Sequence, residues 1–277
     1  METQDHDALQ DQGLHRRPKS IPQWQCDCSY PSGWQGRQGG DRPRASCRRF
    51  CRKPNLPVSP MEPSFWIDRW NEGQIGFHLD RVHPALIRHW PALDHAGKGP
   101  VLVPLCGKSQ DLLYFKNLGH PVTGIELSPL AVEAFWNESG ILAKLTQTET
   151  HRHFEAEGIR IIEGDFFTTR PDQIEAPAWV YDRAALIAMP PSLRDRYCQH
   201  LVLLARGASI LLVTLDHDPT EKEGPPFPVT PQEIETRFAE SHSMRLLESR
   251  DVRDENLPFK QRGVSTLTEH VFLLTPN

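Results

Sequence analysis

The most constraining stretch of this sequence is VLVPLCGKSQDLLYFKNLGHPVTGIE, at residues 101–126. It begins with an apolar run, continues through the small-residue loop CGKS and a helix-like segment, and ends in a second apolar run that closes on Glu126. This order of strand, glycine turn, helix, strand and terminal acid is typical of doubly wound α/β proteins that bind a nucleoside. The turn lets the backbone approach a ligand, and the carboxylate can accept hydrogen bonds from both ribose hydroxyls.

Apolar runs elsewhere in the chain repeat this alternation of strand and helix. Helical patterns separate the first five strand candidates, which lie at 101–105, 122–127, 159–163, 179–181 and 210–215. Two further apolar runs, 244–247 and 271–274, have no helical pattern between them, which predicts that they pair in antiparallel fashion. The order predicts a seven-stranded α/β sheet within one domain.

Three segments carry clear helix signals. Ser128 followed by Pro129 is a strong helix start, with serine as the N-cap and proline in the first turn. The sequence TPQE at 230–233 has the form of a capping box. Apolar residues recur at helical spacing between 78 and 90, which predicts an amphipathic helix there.

The loop after the first strand limits the choice of ligand. A dinucleotide fingerprint needs three glycines in the pattern G-x-G-x-x-G, whereas this loop offers only Gly107. The phosphate-loop pattern also fails, despite the GKS at 107–109, because it would need a glycine where Leu102 stands. A ligand with ribose and adenine but no phosphate fits better, and S-adenosylmethionine is the common one.

Polar residues at later strand ends agree with this ligand. Asp165 follows Gly164 after the third strand, where an adenine amino group can be recognised. Asp182 and Arg183 end the fourth strand, where the sulfonium and its acceptor would meet. Because ligands of such sheets bind outside the carboxyl ends of the strands, we expect these residues to share one site.

Five segments of the chain also carry a family resemblance. They are FWIDRWNEGQIGFH (65–78), VPLCGKSQDL (103–112), GIELS (124–128), WVYDRAAL (179–186) and DPTEKEGPPF (218–227). With these segments in this order, residues 61–277 closely resemble the thiopurine S-methyltransferase family in its shorter bacterial form. The resemblance implies a class I S-adenosylmethionine-dependent methyltransferase, with a doubly wound, mostly parallel seven-stranded sheet that contains one antiparallel strand.

The resemblance also implies an activity and a site. The enzyme would transfer a methyl group from S-adenosylmethionine to the sulfur of thiopurines and aromatic heterocyclic thiols, with selenium or tellurium species as further acceptors. Arg183 and Asp182 are the candidate catalytic residues, because they can orient the acceptor or take its proton through water. The residues expected to contact the cofactor are Trp70, Leu105, Glu126, Asp165, Phe166 and Arg183, and Phe77 is expected to line the acceptor pocket.

Other interpretations remain open at this point. The same cofactor could serve a thiol or halide methyltransferase that acts on thiocyanate, and a smaller, less aromatic acceptor pocket would favour it. A third possibility is a non-catalytic nucleoside-binding module that keeps the sheet without the chemistry. Trp70 could belong to the core, and Asp182 with Arg183 could form a structural ion pair.

Several reactive side chains receive simpler interpretations. Cys106 is not expected to act as a nucleophile, because no histidine or aspartate lies in a pattern that would activate it. His151 and His153 lie in a polar stretch, which predicts a surface position. His217 follows the fifth strand and is expected at the mouth of the site. The proline-rich loop at 224–228 could cover the acceptor.

Charge and composition bear on partners and location. Residues 1–60 carry ten basic and six acidic side chains, and residues 61–277 carry 21 basic and 30 acidic ones. The acidic body argues against a nucleic-acid partner. No apolar run reaches the roughly 18–20 residues that cross a bilayer, and the polar N-terminus lacks the apolar region of a secretory signal. We therefore expect a cytoplasmic protein whose partner is a small-molecule thiol, and the family resemblance indicates a monomer.

The first sixty residues have a different character. They hold Cys26, Cys28, Cys47 and Cys51 among proline, glycine, glutamine and arginine, with almost no apolar periodicity. The CDC and CRRFC pairs do not have the spacing of a structural zinc site, so no metal is expected. Residues 1–60 are expected to be a disordered or non-native extension, and 61–277 to form the methyltransferase domain.

Overall fold

A computed structural model describes residues 62–93 and 99–277. Residues 1–61, which include Cys26, Cys28, Cys47 and Cys51, lie outside the described residues, as do 94–98. The helices are α1 (Pro63–Asn71), α2 (Pro84–Leu93), α3 (Asp111–Asn117), α4 (Pro129–Ser139), α5 (Pro191–Ala205), α6 (Pro231–Phe238) and α7 (Leu257–Gln261). The strands are β1 (Val101–Pro104), β2 (Val122–Glu126), β3 (Lys144–Gln147), β4 (Arg152–Ala156), β5 (Ile159–Glu163), β6 (Trp179–Arg183), β7 (Ser209–Asp216), β8 (His242–Asp251) and β9 (Thr268–Pro276).

The strands form a single sheet in the order β3-β4-β5-β2-β1-β6-β7-β9-β8. Strands β5, β2, β1, β6 and β7 pair in parallel. Strand β9 lies antiparallel between β7 and β8, which confirms the predicted antiparallel finish. The first strand, β1, lies in the middle of the sheet. Strands β2 to β5 extend the sheet on one side of β1 and β6 to β9 extend it on the other, so the strand order reverses between β1 and β6. Such a switch point is where ligands bind in open α/β sheets.

Both faces of the sheet are covered, because successive strand residues point to opposite sides. Leu102 belongs to a core with side chains of α5 and α6, including Tyr197 and Ile234. Its neighbours in β1 belong to a second core with side chains of α2, α3 and α4, including Trp90 and Phe115. A near-continuous apolar strand such as VLVP is what burial on both faces requires.

The β3–β4 hairpin was missed by the sequence analysis. All four residues of β3 are exposed, so the strand carries no apolar alternation that would reveal it. The hairpin buries two histidines that were expected at the surface, which is a correction. His151 and His153 are 2% and 5% exposed. The ring of His151 packs so closely on Gly164 that a Cβ there would lie 2.3 Å from its Cδ2 atom.

Helix starts follow the predicted caps in two cases. The Ser128 hydroxyl accepts a hydrogen bond from the Ala131 amide at 3.3 Å and so caps α4. The Thr230 hydroxyl accepts from the Glu233 amide at 3.2 Å and caps α6. The Glu233 carboxylate does not complete a capping box, because it bonds Arg194 at 2.7 Å instead.

The helix predicted at 78–90 begins later, at Pro84. The ring of a proline clashes with the helical backbone conformation of the residue before it. A helix is therefore disfavoured at His83, and α2 begins at Pro84. The ring of His83 instead accepts a hydrogen bond from the Ala85 amide at 3.3 Å and caps α2. Residues 78–82 therefore lie outside the helix, and several of them line the cavity at the sheet edge.

Two absences apply to residues 62–93 and 99–277. Every helix there falls short of the length and apolar character that a bilayer crossing requires. The same residues contain no group of three or more side chains placed to hold a metal ion. Cys106 and Cys198 are buried free thiols.

Candidate active site

A cavity of about 560 Å³ opens at the carboxyl edge of the central strands. It lies at the switch point, where residues after β1 meet the ends of β2 and β6. Helix α1, the loop at 74–79, the loop at 222–226 and α7 close its other sides. Five of the residues predicted for the site line it together: Trp70, Phe77, Leu105, Glu126 and Arg183.

Glu126 ends β2 with its carboxylate almost fully buried, at 6% exposure. Its Oε2 atom accepts a hydrogen bond from the Gly107 amide at 2.8 Å, and its Oε1 atom accepts from the Ser128 amide at 2.7 Å. Burial raises the pKa of this carboxyl, and the backbone amides of Ser128 and Gly107 oppose that rise. Because each carboxylate oxygen has further acceptor capacity, the group is fixed in orientation and still able to bind two hydroxyls.

The glycine turn is shaped by Trp70. Gly107 has a φ of +55°, and a Cβ at this position would lie 3.2 Å from the Cζ2 atom of Trp70. Leu105 adopts a φ of +47°, a left-handed conformation that costs a non-glycine residue energy and is common at functional sites. The indole therefore covers the turn that carries the Gly107 amide to Glu126.

Aromatic rings form one wall of the cavity. Phe77 packs edge-to-face on Trp70, with ring centroids 5.7 Å apart, and on Trp66 at 5.9 Å. Trp70 is only 7% exposed and also lines the cavity, so the core and ligand interpretations of this residue are compatible. Such edge-to-face pairs add about 0.5–1.5 kcal/mol each beyond the burial of their area.

Arg183 connects this wall to the end of β6. Its Nη1 atom donates a hydrogen bond to the Phe77 carbonyl at 2.9 Å. Within the part of the chain that the structure describes, no carboxylate forms an ion pair with Arg183. The structural ion pair with Asp182 that the sequence left open is thus not formed, and the Arg183 charge faces the cavity.

Asp182 lies elsewhere, which counts against its predicted part in catalysis. Adjacent strand residues point to opposite faces, so Asp182 enters the core beneath α5 while Arg183 reaches the cavity. Asp182 is fully buried, its Oδ2 atom accepts from the Tyr197 hydroxyl at 2.7 Å, and its Oδ1 atom accepts from the Leu186 amide at 3.1 Å. Burial raises its pKa to about 6. Asp182 fixes the turn after β6 and does not line the cavity.

The two residues predicted near the adenine follow β5 and lie outside the cavity lining. Asp165 accepts a hydrogen bond from the Phe167 amide at 2.9 Å, and Phe166 stacks on Tyr197 with centroids 5.1 Å apart. The Gly164 amide donates to the Glu126 carbonyl at 2.9 Å, which ties the end of β5 to the end of β2. Their adenine role stays a prediction.

The loop after β7 contributes to the same cavity. Pro225 and Pro226 line it, as expected of a covering loop. His217 is 4% exposed and does not line the cavity, and its ring nitrogens lie 3.1 Å from the Asp218 carbonyl and 3.4 Å from the Pro226 carbonyl. His217 thus packs against the loop that contains Pro226, farther from the acceptor than the sequence predicted.

Cys106 stands in the turn next to Gly107. Burial raises the pKa of its thiol well above the usual value, and the Glu126 charge raises it further. The neutral thiol bonds the Gly107 carbonyl at 3.6 Å. This environment disfavours the thiolate that a nucleophile needs.

Several cations that the sequence did not predict for the site also line the cavity. They are Arg69, Arg81, Lys222, Arg250 and Arg262. They come from segments far apart in the chain, and no local pattern marks them. Arg69 and Lys222 lie inside segments that carried the family resemblance.

Replacing Gly107 with alanine is expected to weaken cofactor binding and to destabilise the protein by about 1–2 kcal/mol. The left-handed backbone carries that cost, and the new Cβ would also press on Trp70. Gly140→Ala is the matched control, because Gly140 has a φ of +69° with no heavy atom within 4 Å of the added Cβ. Urea unfolding should show a stability loss in both variants, at least as large in Gly107→Ala, and calorimetric titration with S-adenosylhomocysteine should show weaker binding only in Gly107→Ala.

The strand order and the buried acid at the end of β2 are those of the class I methyltransferase fold. Solved structures with the same fold include an S-adenosylmethionine-dependent methyltransferase from Anabaena variabilis, with a TM-score of 0.52 and 17% identity over 82% of this chain and 98% of that one. Another is the 1,6-didemethyltoxoflavin-N1-methyltransferase of Burkholderia thailandensis, with a TM-score of 0.50 and 15% identity over 78% of this chain and 87% of that one.

Sequence comparison identifies the family. The family model described as thiopurine S-methyltransferase matches residues 61–277. The thiopurine S-methyltransferase of Pseudomonas fluorescens is 45% identical over 215 residues, which cover 77% of this chain and 99% of the relative. That of Nitrosospira multiformis is 42% identical over 215 residues, covering 77% and 98%. The chain belongs to the thiopurine S-methyltransferase family.

Proposed function

We propose that the protein transfers a methyl group from S-adenosylmethionine to the sulfur of thiopurines and related aromatic heterocyclic thiols. One observation carries this proposal. The buried, oriented carboxylate of Glu126 shares a single cavity with the aromatic wall and with the Arg183 charge. Membership of the thiopurine S-methyltransferase family supports the same acceptor class.

The residues present fit the cofactor. Glu126 keeps acceptor capacity for the two ribose hydroxyls after binding the Gly107 and Ser128 amides. A side chain at position 107 would fill the space beside Trp70. Because Gly107 has none, the ligand can approach the backbone of this turn. We assign Leu105 and Arg183 to the same ligand because they line the cavity next to this turn. Asp165 and Phe166 remain the proposed adenine contacts.

When bound, S-adenosylmethionine supplies an activated methyl group, so the main task of the chain is alignment. Phe77 and its neighbours Trp66 and Trp70 hold a planar acceptor and exclude water. Arg183 fixes Phe77 through its carbonyl and offers a positive charge to an anionic acceptor. A heteroaromatic thiol is acidic enough that a fraction of it is ionised near neutral pH, so the reaction does not require a side chain to remove its proton. Asp182 then acts as a positioning residue for the turn after β6.

The chemistry of the cavity favours aromatic acceptors over thiocyanate or halide. Trp66, Phe77 and Phe259 contribute aromatic rings to its lining. The presence of Glu126 and Arg183 at the strand ends favours catalysis over a non-catalytic nucleoside-binding module. Selenium or tellurium species remain candidate acceptors, because their anions are soft nucleophiles like thiolates.

A transfer assay with methyl-labelled S-adenosylmethionine tests these alternatives. We expect the full chain to label 6-mercaptopurine and thiophenol, and to label thiocyanate far less. Selenite is included as the inorganic acceptor, after reduction by thiol. Tight binding of S-adenosylhomocysteine without transfer to any acceptor would refute the proposal and support the binding module.

Replacing Arg183 with methionine is expected to lower kcat/KM for thiophenol about ten- to a hundredfold. The substitution removes the charge at the cavity and the 2.9 Å hydrogen bond that holds the Phe77 carbonyl. Arg206→Met is the control, because Arg206 ends α5 and does not line the cavity. Unchanged turnover and unchanged cofactor affinity in Arg183→Met would show that the residue has no part in the reaction.

We also infer that the protein acts in the cytoplasm as a monomer and without a nucleic-acid partner. The net negative charge of residues 61–277 and the free thiols of Cys106 and Cys198 support this inference. Light scattering coupled to size exclusion should give a mass near 31.6 kDa for the monomer.

A further inference from the structure

One side of the cavity, formed by α1, the loop at 222–226 and α7, carries more positive than negative charge. Glu255, just before α7, and Glu269, on β9, also line the cavity, and both form ion pairs with Arg250. Among residues 62–93 and 99–277, no carboxylate forms an ion pair with Arg69, Lys222 or Arg262, which line the cavity as well. The acceptor region therefore presents an excess of positive charge to its ligand.

Lys222 is the most confined of these cations, at 7% exposure. Its Nζ atom donates hydrogen bonds to the Glu223 carbonyl at 3.0 Å and to the Pro225 carbonyl at 3.3 Å. It also lies over the ring of Phe259, 4.8 Å from the centroid. An ammonium group has three donors, so two are used within its own loop and one is left for a group in the cavity.

A buried lysine without a carboxylate partner is unusual, because burying a charge is costly unless it is paired. Burial and the neighbouring charges of Arg262 and Arg69 together lower the pKa of Lys222 to about 8. An anion placed in the cavity would relieve that cost, since it would supply both the missing counter-charge and a partner for the third donor.

We propose that Lys222 binds an acidic substituent of the acceptor, so that the enzyme prefers aromatic thiols that carry a carboxylate or a similar anionic group in addition to the thiol. This inference rests on the proposed methyl transfer to aromatic thiols. The geometry assigns the aromatic wall of Phe77 to the ring of the acceptor and Lys222 to its second charge. Lys222 is thus a specificity-determining residue and takes no part in the bond changes.

The simpler interpretation is that Lys222 only holds the loop at 223–225 through its two carbonyl contacts. The two interpretations differ in what they predict for different acceptors. A loss of loop position would affect a neutral and an acidic thiol alike, whereas a loss of the counter-charge would affect the acidic thiol alone. A matched pair of acceptors therefore separates them.

The test uses 4-mercaptobenzoate and 4-methylbenzenethiol, which differ in the carboxylate that one of them carries. We expect the full-length protein to show a lower KM for 4-mercaptobenzoate. In Lys222→Met the ratio of KM for the neutral thiol to KM for the acidic thiol should fall about tenfold, with most of the change in KM and little in kcat. Lys222→Arg should restore much of the ratio. Lys260→Met on α7 is the control, because Lys260 does not line the cavity.

The preference should also depend on pH. Lys222 is protonated below its pKa of about 8, so kcat/KM for 4-mercaptobenzoate should fall as pH rises through 8 in the free enzyme. The charges that act on Lys222 are the guanidinium groups of Arg69 and Arg262, and Glu255 in the same lining is paired with Arg250. The Lys222→Arg variant should keep its preference up to pH 9.

Calorimetry keeps the inference separate from the proposed function. Titration of 4-mercaptobenzoate into the protein saturated with S-adenosylhomocysteine measures binding without turnover, and Lys222→Met should bind about tenfold more weakly. If neither thiol is methylated but this difference is found, the proposed function fails and Lys222 is still an anion site. Equal KM ratios and equal affinities in the original protein and in Lys222→Met would overturn the inference. Thermal unfolding checks that the variant is folded.

Discussion

Replacing Glu126 with glutamine is expected to raise the dissociation constant of S-adenosylhomocysteine about ten- to a hundredfold. A hydrogen bond to a charged group contributes about 1.5–3 kcal/mol, and each 1.4 kcal/mol corresponds to a factor of ten. Glutamine would also place an NH₂ group against the Gly107 or the Ser128 amide, both of which donate to the carboxylate. The variant would therefore lose charge and one of two acceptors for the ribose.

Isothermal titration of S-adenosylhomocysteine measures this effect directly. Glu163→Gln is a matched control, because Glu163 is the register partner of Glu126 on β5 and is similarly buried, at 9% exposure. Its carboxylate pairs with Arg152 at 2.8 Å and does not line the cavity. Equal affinities in the two variants would show that Glu126 does not bind the ribose. Denaturant unfolding of both would separate a local loss from general destabilisation.

Glu126 could be predicted because the signals that define it are local. The strand, the turn and the following helix lie within 101–126, and each has its own pattern of apolar residues and glycine. The parallel pairing of β1 with β2 then follows from the short helical connection between them. The antiparallel pairing of β8 with β9 could also be predicted, because no helical pattern lies between these strands in the sequence.

Asp182 shows where adjacency in the sequence misleads. Its neighbour Arg183 reaches the cavity, and a single step along a strand turns the preceding side chain to the opposite face. The sequence indicated where the strand ends, but the face of each residue depends on the packing of α5. The Asp182 carboxylate therefore accepts hydrogen bonds from the Tyr197 hydroxyl and the Leu186 amide, and it does not reach the acceptor.

Contacts between distant segments were beyond the reach of sequence patterns. Lys222 meets Phe259 only because the loop after β7 and the short α7 are brought together by the last two strands. The β3–β4 hairpin could not be predicted, because its outer strand β3 is fully exposed and so shows no alternation of apolar and polar residues. In both cases the information lies in tertiary packing, for which apolar periodicity has no signal.

Replacing Asp182 with asparagine is expected to change how the stability of the protein depends on pH. Burial raises the pKa of Asp182 from 3.8 to about 6, so the folded state binds this proton more tightly than the unfolded state does. The stabilisation is fully present below pH 3.8 and is lost as pH rises through about 6. A shift of this size corresponds to about 3 kcal/mol, at 1.36 kcal/mol for each pKa unit.

Because asparagine does not titrate, the unfolding free energy of Asp182→Asn relative to the original protein should increase by about 2.4 kcal/mol between pH 4 and pH 7, most of the full shift. Urea unfolding at pH 4, 5.5 and 7 measures the difference. Asp172→Asn serves as the control with the opposite sign, because its exposed carboxyl has a pKa lowered by a hydrogen bond from Arg170. A constant difference across this range would mean that Asp182 keeps an ordinary pKa in the fold, and that the Tyr197 and Leu186 hydrogen bonds fully offset its burial.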